Sequence, residues 1–203
     1  MNDPVEDWQY VLAFWFGGEG DDAQIASEKS SLWWAKSPDT DKLIWAKFSH
    51  RIEQASAGSL LHWLEHPEGR LAAIILIDQF RRNIFRDKAE AFTADELALR
   101  WCEEGLAQGD DRSLRPIERV FFYLPLEHAE NLGCQQRSVA LFEQLFREAA
   151  SSEQALFHNY LKFAGRHRDI IAQFGRFPHR NAVLGRDPSA EEVEFLKEPG
   201  SSF

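Results

Sequence analysis

An all-α fold is what this 203-residue chain predicts. Three observations carry that expectation. Apolar residues recur at helical spacing along most segments, capping residues, Gly and Pro punctuate those segments, and strand signals are poor. Val is scarce, apolar–polar alternation is absent, and no Asn-Gly or Asp-Gly hairpin occurs.

The first helix starts on Asp3, Pro4 and Glu6: a capping side chain, a first-turn Pro and a Glu three residues after the cap. It runs to Phe16, where Gly17-Gly18 stop it. Asp39 to Asp41 cap a second long helix, with Leu43, Ile44, Phe48 and Ile52 at helical spacing and Gly58 at its end. A short helix over 60–64 is closed by Pro67. The next begins near Glu68 and is apolar on all sides from Leu71 to Ile77, the mark of a central, buried helix. Thr93 with Glu96 forms a capping box ahead of Leu97, Trp101 and Leu106, and Gly109 is the stop. Pro116 takes a first-turn position before Ile117, Val120, Phe121 and Leu124. Pro125 then bends or ends that helix, because it lacks an amide donor and clashes with the preceding turn. Helices over 135–149 and 152–174 follow, and Ser189 with Glu192 caps a short last one. Helices of about 10–20 residues on short loops predict antiparallel pairs. With no linker or low-complexity stretch, the expected organisation is one domain over 1–203, frayed at 198–203.

Composition narrows the function classes. Hydrophobic residues at 44% and charged residues at 28% exclude a disordered or fibrous chain. Seven Trp and sixteen Phe point to a core built on rings. A net charge of −10 and a pI near 5.2 argue against nucleic acid or an anionic membrane as partner, because both require a cationic face. The longest apolar run, Leu71 to Ile77, falls well short of the ~20 residues of a membrane span. Asp3, Glu6 and Asp7 stand where a secretory signal would carry basic residues, and Cys102 and Cys134 read as reduced thiols. A soluble protein of a bacterial-type cytoplasm is the expectation.

Three segments place polar residues where the pattern calls for apolar ones. Asp78 follows the all-apolar run directly and shares a helix face with Arg82, four residues on. A carboxylate at the edge of a core must be paired, either as a structural tie or as part of a cleft. Glu127 and His128 come at the bend expected after Pro125, where Glu127 can hold the imidazole near a neutral pKa; a His capping a helix end accounts for them equally. On the helix from Ser152, Leu156, Tyr160, Phe163, His167, Ile170 and Phe174 form one stripe, so His167 faces inward among hydrophobes. Such a residue is either a satisfied core histidine or a site residue. Five Arg and one acidic residue lie between Arg166 and Arg186, a cationic stretch in an acidic protein. Guanidinium forks suit carboxylate or phosphate; the alternative is that they neutralise acids such as Glu191, Glu192 and Glu194.

No metal is expected. His62 and His66 lie four apart but lack an obvious third ligand, and His-Glu-x-x-His and Glu-x-x-His spacings are absent. Gly-rich phosphate loops, dinucleotide fingerprints and the Gly-x-Ser-x-Gly elbow are absent too, so no cofactor is expected.

Val11-Leu12-Ala13-Phe14-Trp15-Phe16-Gly17, the segment Asp78 to Arg86, the segment Phe121 to His128, and His167-Arg168-Asp169 through Gly175 to Asn181 together resemble the bacterial domain-of-unknown-function family 924. Arg81 stands where that family usually shows Pro. The resemblance implies a tetratricopeptide-like, right-handed helical superhelix and supplies no activity. Its signature residues fall here on Asp78, Gln79, Arg82, Asn83, Pro125, His128, His167, Arg176, His179, Arg180 and Asn181.

Two functions follow as expectations. In one, a concave polar site binds an anionic small molecule or an acidic or C-terminal peptide segment, through Gln79, Arg82, Asn83, Arg176, His179, Arg180 and Asn181. In the other, the protein is an enzyme: His128 or His167 is the general base, Asp78 orients it, and the Arg cluster stabilises developing negative charge. Both require the three polar segments to converge. If they do not, the motifs only pin helices.

Overall fold

The computed structural model describes residues 7–18 and 20–202, and among these there is helix and turn but no strand. Ten α-helices are present: α1 Asp7–Phe16, α2 Asp22–Trp34, α3 Pro38–Ser56, α4 Pro67–Ile74, α5 Arg81–Ile84, α6 Asp95–Gln108, α7 Pro116–His128, α8 Leu132–Glu148, α9 Gln154–Phe174 and α10 Ala190–Phe195. The start expected from Asp3, Pro4 and Glu6 lies outside the described residues. None of these helices is long and apolar enough to cross a membrane.

The all-apolar run does form the centre. Every residue from Leu71 to Ile77 is fully buried, in α4 and the segment after it. α4 packs against α1, α6 and α7, and the α7, α8 and α9 helices each lie along the next. Connections as short as those at 129–131 and 149–153 turn the chain back, so these three are antiparallel neighbours. Rings fill the space between α1, α2, α3 and α7. Phe121 meets Trp33 at 4.7 Å and Trp15 at 5.4 Å between centroids, and Phe80 meets Phe48 at 4.9 Å.

Several elements differ from the sequence reading, each for a physical reason. The helix α2 has no counterpart in it, because three Ser and four charged or amide residues separate its apolar residues. Asp21 caps it, accepting from the Gln24 amide at 2.8 Å, and buried Ile25, Ala26 and Trp33 anchor it. The cap of α3 is Ser37, with Pro38 in the first turn, rather than Asp39 to Asp41. The Thr93–Glu96 box does not form. Thr93 Oγ1 instead donates to the Glu90 carbonyl at 3.1 Å and accepts from Arg81 at 2.6 Å, leaving Ala94 as the cap. On α9, Phe163 is 39% exposed; the buried positions are Phe157, Tyr160, Ala164, His167, Ile170 and Ile171.

Pro125 does not end α7, which continues to His128. Its missing amide costs one helical bond. The helix is buried from Val120 to Glu127, and Gln135 of α8 closes its end by donating to the carbonyls of Glu127 at 2.6 Å and Ala129 at 2.8 Å. Packing and that side-chain cap outweigh the local penalty. In the tail, Arg166 donates to the Gly200 carbonyl at 2.8 Å and Ser201 is buried.

Candidate functional site

Between α4 and α5 the backbone loosens into a π-helical turn, Ile75–Phe80, which carries Asp78 and Gln79 at its end. Such turns are rare and recur at functional sites. Asp78 is wholly buried and accepts three side-chain hydrogen bonds: from Gln79 at 2.6 Å, from Arg82 Nη1 at 3.0 Å, and from His128 Nδ1 at 2.9 Å. Burial alone would raise its pKa. Arg82 and His128 more than offset this and hold the carboxyl well below the usual range.

A carboxylate cannot donate, so His128 Nδ1 carries the proton facing Asp78 and Nε2 is the basic nitrogen. Burial first, and Arg82 next, lower the His128 pKa against the pull of Asp78. The ring is therefore a neutral, oriented base at neutral pH. Of the two carboxylates the sequence offered, His128 is held by Asp78, from another element, and not by its neighbour Glu127.

Glu127 faces His167 instead. His167 Nδ1 donates to the Phe163 carbonyl at 2.9 Å and lies 3.1 Å from Glu127 Oε1. Burial, with Asp78 nearby, pushes Glu127 up to about 8, and burial takes His167 down to about 3. At neutral pH the two thus meet as uncharged groups, not as an ion pair. The His128 and His167 rings are 6.4 Å apart.

Two guanidiniums complete the cluster. Arg82 bridges Asp78 to Asp95, donating to Asp95 Oδ2 at 2.9 Å. Arg180 is only 6% exposed and lies between the Phe92 and Phe177 rings, 4.7 and 4.5 Å from their centroids. It shares Asp95 Oδ2 at 3.4 Å. Its Nε is buried without a hydrogen bond among the described residues, and burial lowers its pKa to about 10. His179 packs on Phe177 at 5.6 Å, and burial, then Arg180, bring its pKa down to about 4.

Asp78, Gln79, Arg82, His128, His167, His179 and Arg180 are thus gathered in one region. Asn83, Arg176 and Asn181 bond to other carboxylates. Asn83 donates to Asp41 at 2.9 Å. Arg176 makes a bidentate pair with Glu192 at 2.6 and 2.7 Å, and Asn181 joins the same carboxylate at 3.2 Å. Arg186 is likewise taken by Glu130, at 2.6 and 3.0 Å. Most of the cationic stretch is therefore neutralised by carboxylates from elsewhere in the chain. Asp95 and Phe92 belong to the cluster but carry no sequence signal: Asp95 looks like an ordinary first-turn acid. Among the described residues, no three or more His, Cys, Asp or Glu side chains are arranged to hold a metal ion.

Fold and site together define an all-helical protein with a buried Asp–His–Arg cluster at the junction of a π turn, the end of α7 and the loop after α9. The chain belongs to the family described as bacterial protein of unknown function (DUF924), which matches residues 11–200. The solved structure of a protein of unknown function from Agrobacterium tumefaciens, ATU0120, is 36% identical to it with a TM-score of 0.73. That similarity covers 88% of this chain and 100% of the other. No curated protein matches the chain.

Proposed function

We propose that this cluster is a binding site for an anionic group, carried by a small molecule or by an acidic or C-terminal peptide segment. The chain around it is read as a tetratricopeptide-like, right-handed superhelix working in the cytoplasm. One observation carries the proposal. Arg180 is almost fully buried, yet the only hydrogen bond of its guanidinium among the described residues is a 3.4 Å contact to a carboxylate it shares with Arg82. A buried cation is costly unless closely paired. The ring sandwich fixes the guanidinium plane, which favours in-plane recognition of a carboxylate or phosphate.

Thermal unfolding with inorganic phosphate, sulfate, malonate and an acidic peptide tests this. At a ligand concentration near a hundred times Kd, stabilisation is about 2.7 kcal/mol, or roughly 5–10 °C in Tm for a chain of this length. The rise is expected in the wild type and not in Arg180→Met. If no anion shifts Tm at tens of millimolar, the site does not bind anions.

The 2.9 Å contact of His128 with Asp78 favours a second reading, an enzyme acting on an anionic metabolite. Here His128 Nε2 is the general base, Asp78 holds its tautomer, and Arg180 steadies negative charge as it develops. His128→Asn then abolishes hydrolysis of phosphate or carboxylate esters while leaving the anion-induced Tm shift in place. If no such ester is turned over by the wild type, binding alone remains.

A further inference from the structure

Next to the Asp78–His128 cluster, the surface between α3, α5 and α6 holds a cavity of about 380 Å³ lined by Ser56, Arg81, Thr93, Ala94, Glu96, Leu97 and Arg100. That volume lies within the usual range of small-molecule sites. Its charge pattern is unusual for this protein. Most of the arginines pair with a carboxylate, among them Arg70 with Asp110, Arg86 with Asp41, Arg176 with Glu192 and Arg186 with Glu130. Arg81 and Arg100, both lining this cavity, do not.

Arg81 is held in place entirely by neutral oxygens. It donates to Ser56 Oγ at 3.2 Å, to the Glu90 carbonyl at 2.7 Å and to Thr93 Oγ1 at 2.6 Å, and its guanidinium stands 4.9 Å over the Phe85 ring. These bonds orient the group without neutralising it. Arg100 and Glu96 lie one turn apart on α6, where an ion pair could form, yet neither makes one among the described residues. The lining therefore offers two cations without a direct ion pair, Arg81 feeling Asp95 and Glu90 only through space, and one anion, with Ala94 and Leu97 between them.

We propose that this cavity is a second ligand site, for a small zwitterion that carries an oxyanion and an amine. Arg81 and Arg100 take the oxyanion, Glu96 takes the amine, and Leu97 covers the linker between them. The complement of two positive charges and one negative charge is a phosphate with an ammonium group, because a phosphomonoester carries close to two negative charges at neutral pH.

Titration calorimetry with O-phosphoethanolamine and with inorganic phosphate tests the assignment on the wild type and three variants. O-phosphoethanolamine is expected to bind the wild type more tightly than phosphate. Arg100→Gln, at an exposed position, should weaken it by about tenfold or more, the usual worth of a charged hydrogen bond. Glu96→Gln should erase its advantage over phosphate. Arg180→Met, in the other cluster, should leave it unchanged. The proposal is overturned by no binding to the wild type, by equal or tighter binding of bare phosphate, by binding that Arg100→Gln leaves intact, or by binding that Arg180→Met removes.

Discussion

Asp78→Asn is expected to destabilise the protein by about 3–5 kcal/mol at pH 7, the range for breaking a buried charge pair by removing one partner. The carboxylate is fully buried and accepts from three donors, Gln79, Arg82 and His128. Asparagine keeps the volume but offers one acceptor oxygen, and its amide would face donors. Arg82 would keep the backbone carbonyl of residue 78 and would retain Asp95 as its one carboxylate among the described residues. The effect depends on pH with a definite sign. The folded pKa of Asp78 is lowered, so its contribution is present above the unfolded value of about 3.9 and is lost as pH falls through the folded value. Urea unfolding of wild type and variant at pH 7 and below pH 4 therefore gives a large gap that narrows in acid. A difference under 1 kcal/mol at pH 7 would show that the cluster does not depend on this charge.

Local rules located most helices. Caps, stop glycines and 3.6-residue spacing act between neighbours, and Gly17 and Gly109 do end α1 and α6 in left-handed backbone, with φ of +82° at both. Asp78 with Arg82 was legible for the same reason, as both partners lie on one helix face. Legibility failed where a partner arrives from afar. The Glu130–Arg186 and Arg180–Asp95 contacts span 56 and 85 residues. No local pattern encodes such pairs, so the cationic stretch after α9 looked freer than it is. Pro125 shows the opposite failure: the helix end that a strong local rule allowed is prevented by burial and by Gln135 closing the helix from α8.

Phe121→Ala should cost about as much as losing Asp78, roughly 3–5 kcal/mol, through lost burial and the cavity left behind. Phe121 is fully buried and touches four rings from α1 and α2: Trp15 at 5.4 Å, Phe16 at 5.5 Å, Trp33 at 4.7 Å, and Trp34, stacked at 5.6 Å with planes 13° apart. Three of these are tryptophans, so the indole emission should change along with the unfolding midpoint. Phe163→Ala is the matched control. Its place in the α9 stripe suggests a core residue, but at 39% exposure it should shift stability by less than 1 kcal/mol or so. Phe121 and His128 are seven residues apart on one buried helix, with Pro125 between them. If α7 is a single rigid body despite that Pro, loosening its Phe121 end should also weaken the anion-induced Tm shift at its His128 end. A large stability loss with an undiminished shift would mean that Pro125 divides the helix into two independent parts.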